Sequence, residues 1–147
     1  MEQLKRVRRM LNRIEKNQDR SVEDYGDDVW SFFQNCWHLK DRIKNDPRVP
    51  GCIRNSIEEF LKTQPSIIKC ADLANATKHL ELKHPRVGDA PSAKPSHSNM
   101  TIIPGESSTV EYLIDSATGP KQNALDLARD CLLEWERLHA EKGLAEH

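Results

Sequence analysis

The sequence predicts a mainly α protein: an antiparallel bundle of about five helices, with a small β-hairpin inserted before the last. Three observations carry this. Apolar residues recur at spacings of three and four through most of the chain, as they do on a helix with one buried face. Only around residues 110–115 does the spacing drop to two, the period of a half-buried strand. Most prolines and glycines fall between these stretches, where turns are made.

Leu4, Val7, Leu11 and Ile14 form the stripe of the first helix. Seven basic residues and three acidic ones surround it in the first twenty positions. That balance suits a solvated outer face, or else a helix that touches phosphate, although no aromatic residues interleave for base stacking. Ser21 and Gly26 lie in a connector, and Asp27 and Asp28 favour the start of a second helix over residues 27–45. Its inner face is Val29, Phe32, Phe33, Cys36, Leu39 and Ile43. Asp46-Pro47 stops it, because a residue before proline is pushed out of the α region. Pro50-Gly51 opens a shorter third helix with Ile53, Ile57, Phe60 and Leu61 inward. Pro65 starts the fourth, which runs to Lys83. Residues 84–100 carry three prolines among small polar residues and read as a mobile linker. Val110, Tyr112 and Ile114 alternate with Glu111, Leu113 and Asp115, which places a hairpin over 100–116. The last helix spans 121–142, facing inward with Ala124, Ala128, Cys131, Trp135 and Leu138.

A length of 147 residues suits one domain, 1–147, with a core of its own. Apolar residues make up 37% and charged residues 31%, polar for a globular chain but above the disordered regime. A net charge of −1 gives no overall pull toward nucleic acid or anionic lipid. No apolar stretch approaches the length of a membrane span or a signal peptide. The four cysteines, Cys36, Cys52, Cys70 and Cys131, form no CxxC pair, and three fall on inward helix faces. Reduced, buried thiols point to the cytoplasm. His139 is expected to act near a helix C-terminus through its charge.

On a helical wheel the second helix carries Gln34, His38, Asp41 and Asn45 as one polar stripe opposite Cys36, with Trp30 and Trp37 beside it. A tryptophan there predicts that this side is partly covered. The fourth helix carries Asp72, Asn75 and His79 in the reverse order. In antiparallel packing the two stripes are expected to border a shared cleft or to meet a second copy of the chain. Three kinds of chemistry suit such a cleft. The stripes can be surface or dimer-interface polarity. His38, Asp41, Asp72 and His79 can form an imidazole–carboxylate metal site, although neither ExxH nor HExxH occurs. Or His38 and His79 can move a proton, with Asp41, Asp72 and Asn75 beside them and Lys78 or Lys40 holding a phosphate.

A small bundle whose polar residues gather late on one helix resembles the HEPN superfamily of bacterial helical domains. The likeness is architectural and covers residues 1–83 and 120–142. It implies RNA as a substrate class and a place in bacterial defence. The family's catalytic histidine follows an arginine by a few residues. Here the matching positions are Asp72, Leu73 and Ala74 before His79, and Ser31, Phe32 and Phe33 before His38. The resemblance thus implies a catalytically silent relative that acts as a binding partner. The expected function is a cytoplasmic interaction module, binding a protein partner or forming a homodimer, with no membrane contact. The alternative is a small hydrolase acting on RNA or a nucleotide through His38 and His79. Such a hydrolase can work with or without a metal ion, and the sequence leaves the cofactor open.

Overall fold

A computed structural model describes residues 1–16, 21–76, 97–101, 109–114 and 122–144. Helix α1 (Glu2–Lys16) buries the four residues of its predicted stripe, Leu4, Val7, Leu11 and Ile14. Its basic outer face is only partly solvated. Arg8 pairs with Glu136 at 2.7 Å and Arg129 with Glu15 at 2.8 Å, which ties α1 to the last helix. Arg13 pairs with the mostly buried Asp28 of the second helix.

Helix α2 (Val22–Trp37) begins five residues before the expected start. The reason is a cap: the Ser21 hydroxyl accepts the Asp24 N–H at 3.1 Å, with Glu23 and Asp24 in the first turn. Tyr25 and Gly26 are consequently buried within the helix. The predicted second helix is also interrupted once, at His38, before α3 (Leu39–Asn45). His38 keeps right-handed helical φ and ψ and still donates its N–H to the Gln34 carbonyl at 3.1 Å. The two pieces therefore continue one another as a single body. Asp46 ends α3, and its carboxylate accepts Arg48's backbone N–H at 3.0 Å and its guanidinium at 2.9 and 2.7 Å. These bonds hold the Asp46 carboxyl down at about 2.

Helix α4 (Gly51–Leu61) buries Ile57 and Leu61, and α5 (Pro65–Ala76) follows. The last seven residues of the predicted fourth helix, 77–83, lie outside the described residues, as does most of the predicted linker. Strand β1 (His97–Thr101) starts three residues before the expected hairpin and pairs antiparallel with β2 (Thr109–Ile114), His97 opposite Leu113 and Thr101 opposite Thr109. His97, Ser98 and Asn99 carry no apolar alternation, so only backbone pairing with β2 makes them strand. A two-residue β3 (Gln122–Asn123) adds to the other edge of β2. Helix α6 (Ala124–Glu141) starts at Ala124 rather than residue 121, because Asn123 caps it: the side-chain oxygen accepts Leu125's N–H at 2.8 Å. Gly143, at φ +61°, closes its other end, with Leu144 N–H donating to the His139 carbonyl at 3.0 Å.

α2 and α5 form the most extensive helix pair; α1 packs on α2 and α6, α5 on α6, and α3 on α4. The centre is filled by Trp135, Phe32, Phe33, Leu39, Ile67 and Leu73, all fully buried. Phe32 and Phe33 meet edge-to-face, with centroids 5.5 Å apart. His139, expected as a charged group at a helix end, is instead buried at 5% exposure, since its position on α6 continues the Trp135–Leu138 face.

Candidate functional site

The register of α2 against α5 decides where the polar stripes go. Cys70 Sγ donates to the Phe33 carbonyl at 3.4 Å, and Trp37 shares a groove with Ile67, Ile68 and Ala71. Going up α2 therefore means going back along α5. His38 lies beside the start of α5, whereas Asp72 and Asn75 lie farther along it, toward the first half of α2.

Asp72 is buried completely, and Cys70, Ala71, Leu73 and Ala74 around it are buried as well. α5 is thus enclosed on every side here, and Asp72, which has a bonding partner, belongs to the interior. Asn75 is half-buried. His38 and Asp41 stay together at the α2–α3 junction, where the His38 carbonyl accepts Asp41's N–H at 3.1 Å. The Asp41 carboxylate accepts Lys40 Nζ at 2.8 Å, and the Asp41 carbonyl accepts Asn45 Nδ2 at 2.8 Å. Lys78 and His79 lie outside the described residues. Among the described candidates, then, His38 and Asp41 form one group, and Asp72 and Asn75 another.

Two surface grooves flank the α2–α3 junction. The first, about 360 Å³, is walled by Trp37, Leu61, Ile67, Ile68 and Ala71 and rimmed by Lys40, Glu58 and Lys62. Trp37 and Trp30 are only partly buried, packed on the core by one side. Lys40 lies over the Trp37 ring, its ammonium 4.8 Å from the centroid, which with Asp41 fixes it at the groove's edge. Glu58 is paired with Lys44 at 2.8 Å, so its carboxyl is lowered and the ammonium raised. Lys62 is likewise paired with Glu59 at 2.6 Å, so each charge on the rim has a partner.

The second groove, wider at about 900 Å³, runs between α1 and the α3–α4 turn and includes Arg6, Arg9, Asp41, Arg42 and Arg48. Arg9 is tied to Glu2 at 2.9 Å and Arg48 to Asp46. Arg6 and Arg42 have no ion-pair partner among the described residues. A signal for this groove was present in the sequence as the surplus of arginine in the first helix. Its second wall came from α3, too far away in the chain for any spacing to reveal.

A third constellation lies in the core. Cys36 of α2, Cys70 of α5 and Cys131 of α6 bring their sulfurs within 4.8 Å of one another, each fully buried. Cys52 is exposed and apart. Cys131 Sγ donates to the Ser66 carbonyl at 3.3 Å. Burial is the largest influence on all three thiols, and it leaves Cys70 and Cys131 well above their ordinary value. At Cys36 the direction is reversed: set against burial, the neighbouring Cys131, Cys70 and Trp135 side chains favour the thiolate. The sequence showed each cysteine on an inward face; it did not show that three inward faces meet at one point.

No family model matches this chain, and neither the curated proteins nor the solved structures contain a match to it. No described helix is long and apolar enough to cross a membrane.

Proposed function

We propose that the chain is an interaction module that pairs with a second copy of itself through the Trp37 groove. The observation that carries this is a half-buried tryptophan in an aliphatic groove, since centrally placed tryptophans in such settings supply much of an interface's affinity. The fitting occupant is Leu133 of the second copy. It is the large apolar side chain left exposed among the described residues, at 63%, and Asp130 and Glu134 flank it on α6. An apolar anchor complements an aliphatic groove, and Glu134, Lys40 and Lys62 are already paired within the chain, so shape rather than charge carries the match.

Position supports an exchange between two copies. Arg137, one turn beyond Leu133, reaches Gln64 Oε1 at 3.0 Å, just before α5. The anchor and the groove thus sit on either side of the start of α5. A two-fold axis there would let each copy give its leucine and receive its partner's.

Light scattering and analytical ultracentrifugation test this directly. The wild type is expected to be a dimer. Trp37→Ala and Leu133→Arg should each weaken it by about 2 kcal/mol or more, roughly thirty-fold in dissociation constant. Leu133→Arg should change the melting of the separated protomer little, because the side chain is mostly exposed within its own chain. A monomeric wild type, or a dimer indifferent to both changes, removes the reading.

Arg6 and Arg42 favour a second reading, in which the wider groove holds the phosphates of RNA or a nucleotide. Phosphate binding by arginines should weaken steeply with salt, and Arg6→Ala with Arg42→Ala should abolish it. If His38 then adds acid–base chemistry, turnover on an RNA panel should fall by about 10²–10⁴ in His38→Ala. Salt-insensitive or absent binding by fluorescence anisotropy rules the groove out.

A further inference from the structure

We propose that Cys36, Cys70 and Cys131 form a binding site for a soft monovalent metal ion of the copper(I) class, held by three sulfurs in the core of the bundle. The geometry comes first. The three sulfurs lie within 4.8 Å of one another on three separate helices. A metal–sulfur bond of about 2.3 Å sets three coplanar sulfurs about 4 Å apart, a small contraction of what is already present. Three of the chain's four cysteines converge in this way.

A second observation points at the same spot. Trp135 is 1% exposed, and its indole Nε1 is a buried donor without a hydrogen-bond partner. That N–H faces Cys36. A buried donor left unsatisfied costs stability, and a thiolate bound to a metal is the acceptor that would satisfy it. Outer donors of this kind also hold and tune metal ligands.

Ligand number and charge choose the ion. Soft thiolate sites select copper(I), zinc or iron–sulfur clusters. Structural zinc takes four ligands, and no fourth histidine, cysteine or carboxylate joins the group among the described residues. Copper(I) is content with three. Charge agrees: one Cu⁺ enters, one thiol proton leaves, and the other two sulfurs donate as neutral thiols. The interior then gains no net charge. A divalent ion would add one, or require a second proton to leave a site with no exposed surface, where each uncompensated charge is costly. No oxidant or reductant takes part.

The test is an anaerobic titration of the full chain with copper(I) against a competing chromophoric chelator, repeated with silver(I) as a redox-inert probe. One equivalent is expected to bind, with a sulfur-to-metal absorption band and a higher melting temperature. Cys36→Ala, Cys70→Ala and Cys131→Ala should each lose the bound ion, while Cys52→Ala keeps it. Because a core alanine can disturb folding, Trp135→Phe provides a second variant. It keeps all three sulfurs and should bind about 10–100-fold more weakly, with a shifted band. A folded wild type that takes up neither ion overturns the proposal. So does copper retained by the folded single-alanine variants, or lost on removing Cys52.

Discussion

Trp135→Ala is expected to destabilise the protein by about 3–5 kcal/mol, the usual cost of emptying a large aromatic site in a packed core. Trp135 is 1% exposed and stands where α6 meets the cysteines of α2 and α5. Set against a total stability of about 5–15 kcal/mol, that loss brings the bundle close to unfolding. Differential scanning calorimetry should show the transition lowered by about 10 °C or more. Trp135→Phe should cost much less. The ring's apolar area is mostly kept, and the change deletes an indole N–H that has no partner in the absence of metal. The contrast between the two substitutions separates packing from polar satisfaction. If alanine and phenylalanine cost the same, the site is not packed as described.

The second large effect is expected at Asp72. Asp72 has no exposed surface and is held by a bonding partner. Asp72→Ala should therefore cost about 2–3 kcal/mol or more, since hydrogen bonds to charged groups contribute about 1.5–3 kcal/mol and the partner is left unsatisfied. Asp72→Asn keeps the shape and one acceptor oxygen and should recover part of the loss. Urea denaturation of the three forms measures this, with unchanged m-values as the check that the folded state is the same. Equal stability across all three would move Asp72 out of the interior. The same residue bears on catalysis. A carboxylate with no exposed surface is placed to serve the fold, so Asp72→Asn should alter stability more than any binding measured at the Trp37 groove.

These effects also mark how far the chain could be read before it was folded. Helical periodicity alone located α1, because Leu4, Val7, Leu11 and Ile14 repeat the same face with nothing competing. It failed at the ends of elements, where single side chains decide. Ser21 and Asn123 each cap a helix through one oxygen, and both were read as connector or helix interior. Of the predicted stripe on the fourth helix, Asp72 is interior and His79 lies outside the described residues. The meeting of the two stripes depended on register, which is set by how Phe33 and Cys70 pack and is not written in either helix separately. His38 and Asp41 are adjacent in the chain and stayed together; Asp72 and Asn75 were carried away from them by the same packing.

The sequence by itself determined the class of the fold, the positions of most helices, the inward faces of Cys36, Cys70 and Cys131, and the partial cover over Trp30 and Trp37. Each follows from local spacing, which the chain carries wherever it goes. Tertiary structure alone decided that α5 is enclosed on all sides, that Asp72 is interior, and that arginines of α1 and α3 share a groove. It alone brought three cysteines, 34 and 61 residues apart in the chain, to within 4.8 Å. Periodicity tells a residue which side of its own helix it occupies. Only packing tells it which other side chains are there.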